Sequence, residues 1–144
     1  MIRSKRLERV TDIRREQERK AGSQLADAQQ AHASKEQMLQ QLLQYRQEYQ
    51  ALFAEQSTQG LDAQQYRNFQ QFFAQLDRAV EEQRHTLELG ETEVEQTRDQ
   101  WIEKRQASET LSRLTAMALE TEQQELQKQE QKQADELHGR RSRQ

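Results

Sequence analysis

The chain has 144 residues, of which 33% are charged, 28 are Gln and only 32% belong to apolar types. A globular domain is usually close to half apolar, so this composition excludes a sizeable three-dimensional core and, with it, most enzyme folds. The absence of proline and the abundance of Gln, Glu, Arg, Leu and Ala are typical of long helices. Disorder is the alternative for so polar a chain, and the periodicity of the apolar residues decides between the two.

Charge is unevenly distributed along the chain. Residues 1–20 carry eight Lys/Arg against four Asp/Glu, and Arg140, Arg141 and Arg143 add three positive charges, so residues 21–139 carry a net charge of −10. Basic ends of this kind attract nucleic acid, acidic lipid or an acidic protein surface, and a solvated helix terminus is the plainer interpretation. Because the chain lacks cysteine and any apolar run of the length of a membrane span, we expect a cytoplasmic protein.

Heptad spacing predicts a first helix over about residues 3–54. Ten of fourteen a and d positions are apolar, and the four exceptions lie in the N-terminal two thirds, where we expect a weak seam. The a positions are Leu7, Arg14, Ala21, Ala28, Lys35, Leu42 and Tyr49, and the d positions are Val10, Gln17, Gln24, Ala31, Met38, Tyr45 and Leu52.

A turn over about residues 55–61 separates this helix from a second one over about 62–138. Gly60 can adopt the left-handed conformation that ends a helix, and Asp62 with Gln65 forms the pattern of a capping box. The second helix has the more regular frame, with large apolar residues at six consecutive a positions. The a positions are Tyr66, Phe73, Val80, Leu87, Val94 and Trp101, and the apolar d positions include Phe69, Leu76, Leu111 and Ala118.

The short turn predicts that the two helices pack antiparallel, so that the fold is all-α and the whole chain, 1–144, forms one helical hairpin about 70 Å long. If Leu52 faces Tyr66, the numbers of facing residues sum to 118. This register places Ala28 opposite Gly90 and Leu7 opposite Leu111, and leaves the rest of the second helix without a partner, either as a solvated helix or frayed.

No catalytic motif is found in the sequence, and the three histidines, His32, His85 and His138, are too scattered to form a metal site. We therefore predict a protein that is not an enzyme and that holds no cofactor or metal. A nucleic-acid partner is disfavoured as well, since the acidic body repels phosphate and the basic ends lack aromatic residues for base stacking.

Seven of the eight aromatic residues lie between Tyr45 and Phe73, on both sides of the turn. A two-helix seam needs only the a and d positions, so Phe72 at g, with Phe53 and Leu39 at e, exceeds that need. We predict a partly exposed aromatic patch that binds another protein. The alternative is a tip that its own aromatic residues seal.

Three segments near the turn resemble the flagellar export protein FliJ family: LLQYRQEY at 42–49, YRNFQQF at 66–72 and LDRAVEEQ at 76–83. Trp101, which is followed by Glu103, Lys104 and Arg105, matches the single downstream tryptophan of that family. The resemblance covers nearly the whole chain.

This resemblance implies a component of the flagellar type III protein export apparatus whose antiparallel coiled coil is similar to the central stalk of rotary ATPases. The open end of the hairpin would engage the hexameric export ATPase, and a face near the tip would contact the membrane export gate protein FlhA. The family also handles export chaperones, and the gate contact would hold the protein at the cytoplasmic face of the inner membrane. The implied gate-binding residues are Met38, Leu42, Tyr45, Tyr49, Phe72, Leu76, Ala79 and Gln83.

Charge gives an independent reason to assign the ATPase contact to the open end. An acidic ring entrance would attract the basic residues there, and the predicted register sets Arg14 against Lys104, a like-charge pair that a partner would neutralise. The expected ATPase-binding residues are Arg3, Lys5, Arg6, Arg9, Arg14, Arg15, Lys104, Arg105 and Arg113.

Two other functions stay open at this point. A stalk protein of a virulence type III secretion system would share the architecture. A generic coiled-coil scaffold would form a homodimer, whereas the hairpin predicts a monomer of about 17 kDa.

Overall fold

The computed structural model describes residues 2–143, and within that range it contains two helices, α1 (Ile2–Gln59) and α2 (Ala63–Arg143), and no strand. The helices pack antiparallel, since Ser4 at the start of α1 bonds to Glu122, whereas Arg46 pairs with Asp77 much nearer the turn. The predicted all-α antiparallel hairpin, with the second helix longer, is confirmed.

The turn between the helices is tighter than the sequence suggests. Helix α1 continues through Ser57 and Thr58, and the Thr58 hydroxyl donates a 2.6 Å hydrogen bond to the Glu55 carbonyl, satisfying an acceptor of the last turn. The chain then leaves the helix at Gly60, whose φ of +94° is a backbone conformation that residues with a side chain rarely adopt. Helix α1 therefore ends five residues later than the predicted 54.

The predicted capping box at the start of α2 is confirmed. Asp62 Oδ1 accepts a 2.8 Å hydrogen bond from the Gln65 backbone N–H, and the Asp62 N–H donates to Gln65 Oε1 at 3.1 Å. These reciprocal bonds satisfy backbone donors that the first helical turn would otherwise leave free.

Contacts within the hairpin divide it into two compact units. The open-end unit comprises Met1–Gly22 and Gln100–Gln144, and the tip unit comprises Ser23–Asp99. Their buried residues differ in kind. Small or hydroxyl residues fill the open-end unit, namely Ser4, Thr11, Ala21, Ser108, Thr115 and Ala118, whereas Leu25, Phe69, Leu76 and Val80 are buried in the tip unit.

The heptad frame predicted for α2 is confirmed. Of its a and d residues, Phe69, Leu76, Val80 and Ala118 are buried. Five others are half-buried: Phe73, Leu87, Val94, Trp101 and Leu111. Tyr66, close to the turn, is 49% exposed and is the exception.

The frame predicted for α1 is half wrong. Its a positions do line the seam, because all seven are buried or half-buried. Its d positions do not, because six of the seven are exposed. The second row of seam residues lies one position later, at e, and consists of Thr11, Glu18, Leu25, His32, Leu39, Arg46 and Phe53.

Hydrogen bonds explain how so polar a row can line the seam. The Thr11 and Thr115 hydroxyls lie 3.0 Å apart, and Arg46 Nη1 donates to Asp77 Oδ1 at 3.1 Å. Only three of the seven e residues are apolar against five of the seven d residues, so a count of apolar residues selects the wrong row. Val10, Met38, Tyr45 and Leu52 are left 40–54% exposed as a result.

The register differs from the predicted one in both units. In the tip unit, Gly90 lies against His32 instead of Ala28, since a methyl group on Gly90 would lie 2.7 Å from His32 Nδ1. In the open-end unit, Thr11 meets Thr115, whereas facing numbers that sum to 118 would place it opposite Ala107. The second difference is eight residues, or about 12 Å along a helix.

Because of this shift, α1 reaches further along α2 than expected. Glu122, not Leu111, marks the observed end of pairing, and its carboxylate accepts hydrogen bonds from the Ser4 N–H (3.2 Å) and the Ser4 hydroxyl (2.8 Å). Beyond it, α2 continues to Arg143, with Leu126 and Leu137 48% and 59% exposed. Across residues 2–143, neither helix has an apolar stretch long enough to cross a bilayer.

Candidate protein-binding surfaces

The eight residues implied in gate binding all belong to the tip unit, and the structure brings rings from both helices together there. The Tyr49 and Phe72 ring centroids are 3.9 Å apart, and Tyr45 approaches Phe72 edge-on at 5.7 Å. Tyr45 and Met38 are the exposed members, at 48% and 54%. They give this face an apolar surface that a partner can reach.

Two of the eight residues mainly support the hairpin. Leu76 is 6% exposed and belongs to the core of the tip unit. Gln83 is half-buried, and its Nε2 donates a 2.9 Å hydrogen bond across the seam to the Lys35 carbonyl. Leu42, Tyr49, Phe72 and Ala79 are half-buried and flank the exposed pair.

The aromatic residues of the tip seal it more fully than the sequence suggests. Phe53 and Leu39, expected as a surplus outside the seam, belong to the seam row and are half-buried. Phe53 packs edge-on against Phe69 at 5.1 Å and also contacts Phe73. Phe53 and Leu39 are thus seam residues that stay partly exposed, because e, not d, completes the α1 seam.

All nine residues expected to bind the ATPase belong to the open-end unit. Seven of them are exposed, and Arg14 and Lys104 are half-buried. The unit contains sixteen Lys/Arg against twelve Asp/Glu, a net charge of +4, whereas the tip unit contains six against thirteen, a net charge of −7. The two units are thus of opposite charge.

Several of these basic residues are held by neighbours. Arg105 Nε bonds to Glu109 at 3.1 Å, and its guanidinium lies 5.4 Å from the centre of the Trp101 ring. Arg15 Nη2 donates to Ser112 Oγ at 3.2 Å. Both arrangements fix a guanidinium on the surface of the hairpin while leaving its residue exposed.

The predicted like-charge pair between Arg14 and Lys104 is not formed. Arg15 bonds to Ser112, which lies eight residues beyond Lys104 on α2, so Arg14 and Lys104 are not opposite each other. Arg14 instead donates to Gln17 on its own helix at 3.1 Å. The difference follows from the register, and the supposed repulsion gives no reason for a partner.

The carboxylate of Glu122, at the end of the paired region, is held in its charged form. Hydrogen bonds from Ser4 help to hold the pKa of the Glu122 carboxyl below its ordinary value. A carboxylate that accepts hydrogen bonds is favoured in its ionised form. Glu122 thereby connects the start of α1 to α2.

No cluster of His, Cys, Asp and Glu suited to a metal ion is found among residues 2–143. His32 occupies the seam, which the sequence did not indicate. Its Nε2 lies 3.1 Å from Glu36 Oε1, its buried Nδ1 has no partner within the described residues, and Gly90 provides the space for the ring. The glycine at position 90 could have indicated a bulky side chain opposite it in the seam. The predicted register instead placed Gly90 opposite Ala28, so His32 was missed.

The chain is similar to one known protein family. The family model described as flagellar FliJ protein matches residues 4–144. The chain belongs to this family. No curated protein and no solved structure gives a significant match.

Membership of the FliJ family makes the chain a component of flagellar type III protein export, in a family whose role is not catalytic. The match extends over both helices and includes all the candidate binding residues except Arg3. The resemblance inferred from three short segments near the turn is therefore confirmed at the level of the family.

Proposed function

We propose that this chain is a stalk-like adaptor of the flagellar export apparatus. The open-end unit binds the hexameric export ATPase and promotes its assembly or activity. The exposed face of the tip unit binds the export gate protein in the membrane, which holds the adaptor at the cytoplasmic face of the inner membrane. The family resemblance alone adds the handling of export chaperones to this proposal.

The observation that best supports two separate partners is the division of the chain by charge and surface. Every basic candidate lies in the open-end unit, whose net charge is +4, and every gate-binding candidate lies in the tip unit, whose net charge is −7. Complementary charge accelerates association and selects orientation more than it adds affinity. An acidic surface on the ATPase would therefore meet the open end first.

The exposed face of the tip unit offers apolar and aromatic contacts instead of charge. Tyr45 and Met38 are about half exposed beside the half-buried rings of Tyr49 and Phe72. Aromatic side chains that are already held by packing lose little conformational entropy on binding, so they are frequent anchors of protein interfaces. This face suits an apolar patch of the gate protein.

The ATPase contact is tested by titrating the purified chain into its cognate export ATPase while recording hydrolysis rate and ring mass. We expect stimulation that saturates near one chain per hexamer, together with a larger population of rings. If neither quantity changes while both proteins are folded, the adaptor function is wrong and a plain scaffold is favoured.

Sedimentation equilibrium of the chain alone separates the adaptor from that scaffold. A hairpin that closes its own seam should sediment as a monomer of 17.2 kDa. A homodimeric scaffold would show twice this mass at micromolar concentration.

A further inference from the structure

Of the eight large apolar side chains that the described part of the open-end unit exposes, four lie within three residues of Thr11 or Thr115. Val10 and Leu114 are each 41% exposed, Ile13 is 57% exposed and Met117 is 63% exposed. Single exposed apolar residues are common on protein surfaces, whereas a contiguous group is characteristic of an interaction site. The question is therefore whether these four residues share one face.

The hydrogen bond between Thr11 and Thr115 fixes the relative positions of Val10 and Leu114. Val10 and Leu114 directly precede Thr11 and Thr115, whose hydroxyls lie 3.0 Å apart across the seam. The two apolar residues therefore lie at the same height of the hairpin, one on each helix.

A groove beside Arg3 places Met117 next to Leu114. This groove, of about 590 Å³, is lined by Arg3 from α1 together with Leu114, Met117, Ala118, Thr121, Glu122 and Glu125 from α2. Val10 follows Arg3 by seven residues, or two helical turns, and Ile13 follows Val10 by three, so both continue along the same face. We call the surface formed by Val10, Ile13, Leu114 and Met117 the open-end groove.

Basic residues lie on the α1 side of the open-end groove, whereas Glu122 and Glu125 line its α2 side. Arg3, Arg6 and Arg9 are exposed and make no hydrogen bond or ion pair within residues 2–143. The acidic residues of this part of α1 lie elsewhere, since Glu8 and Asp12 line a different groove, together with Arg15, Ser112 and Leu119. Apolar surface and unpaired positive charge thus lie side by side on α1, whereas the α2 side of the groove is acidic.

We propose that the open-end groove binds an amphipathic helix of a partner protein that has a narrow apolar strip, with Asp or Glu residues along the side of the strip that faces α1. Two antiparallel helices offer a shallow groove into which such a strip fits, and Arg3, Arg6 and Arg9 of α1 complement the acidic flank. The inference rests on the proposed function in assigning this helix to the export ATPase.

The central test removes apolar contact without changing charge. The double variant Ile13→Gln with Met117→Gln alters the two most exposed groove residues, and Leu89→Gln with Leu137→Gln is the matched control, since those leucines are 60% and 59% exposed outside the groove. Loss of two apolar anchors should raise the Kd for the cognate ATPase at least about tenfold, whereas the control should stay within about twofold of the wild type. Far-UV circular dichroism confirms that both variants are helical.

Measurement at two salt concentrations separates the apolar and electrostatic contributions. We expect the groove variant to keep the salt dependence of the wild type, because its charges are intact. If the wild type binds the ATPase and the groove variant binds equally well, the groove is overturned and the adaptor function stands. If the wild type itself does not bind, both are overturned.

The chemistry of the occupant is tested by introducing a photo-cross-linking amino acid at position 117 and identifying the attached peptide by mass spectrometry. The expected peptide comes from an acidic amphipathic helix of the ATPase. A cross-link to a basic segment, to a loop or to a second copy of this chain would overturn the proposal.

Discussion

The tip unit and the open-end unit belong to the same two helices but close their seams with different chemistry. The tip unit buries Phe69, Leu76 and Val80, whereas the open-end unit buries alanines and hydroxyl residues. Because stabilisation grows with the apolar area removed from water, the tip should supply most of the stability of the hairpin. The open end is held by weaker contacts and has the charge opposite to that of the tip, so one hairpin combines an acidic, more stable end with a basic, less stable one.

Truncation of a tip core residue should have the largest effect on stability. Leu76→Ala removes a side chain that is 6% exposed and should lower the free energy of unfolding by about 3 kcal/mol, as measured by urea denaturation. The same substitution at Leu126, which is 48% exposed in the open-end unit, should cost less than about 1 kcal/mol. Equal losses would mean that the tip is not the main source of stability.

A methyl group added at Gly90 tests the close approach in the tip seam. Although alanine normally favours a helix by up to about 1 kcal/mol over glycine, Gly90→Ala should destabilise the hairpin by about 1–2 kcal/mol. The reason is that the new methyl would lie 2.7 Å from His32 Nδ1.

The double variant provides the control for Gly90. Once His32→Ala has removed the imidazole, Gly90→Ala should no longer destabilise, and a thermal unfolding series of the four proteins measures this coupling. A stabilising Gly90→Ala in the wild-type background would show that the seam yields easily at this point.

The hydroxyl pair of the open end should matter least. Each threonine can also donate to its own helix, Thr11 to the Leu7 carbonyl (2.7 Å) and Thr115 to the Leu111 carbonyl (2.8 Å). Replacement of both partners of a hydrogen bond by apolar groups of similar shape is often nearly neutral. Thr11→Val with Thr115→Val should therefore change the free energy of unfolding by less than about 1 kcal/mol in urea titrations.

The single variant Thr11→Val is the matched comparison for that pair. It should be about as stable as the double variant, because the buried Thr115 hydroxyl keeps its hydrogen bond to the Leu111 carbonyl. A double variant that loses several kcal/mol would make the open end as dependent on specific contacts as the tip.

These contrasts explain how much of the fold the sequence predicts. Helix α2 is predicted correctly because its a positions are large and apolar, and the turn because Gly60, Asp62 and Gln65 form local patterns. The heptad frame of α1 is not predicted correctly, because the exposed d row contains more apolar residues than the e row, which lies in the seam. Thr11, His32 and Arg46 enter the seam through partners on α2 or through nearby hydrogen bonds, and no count along one helix includes such partners.

The candidate surfaces follow the same division. The clustering of the basic candidates at the open end is readable from sequence, since it depends only on which residues lie near the two ends of the hairpin. The open-end groove cannot be predicted from the sequence, because Val10 is exposed only if the e row, and not the d row, of α1 lies in the seam. In the predicted frame, Val10 is a seam residue and offers nothing to a partner.

The most direct test of the central claim, that the two units serve two partners, is to measure two variants against both partners. One carries Met38→Ala and Tyr45→Ala in the tip, where both residues are about half exposed, and the other carries Arg3→Ala, Arg6→Ala and Arg9→Ala in the open end. The tip variant should lose about tenfold in affinity for the soluble domain of the gate protein only, and the open-end variant a similar factor for the export ATPase only. If one folded variant lost both interactions, or if both variants kept both interactions, the division of the two units between two partners would be contradicted.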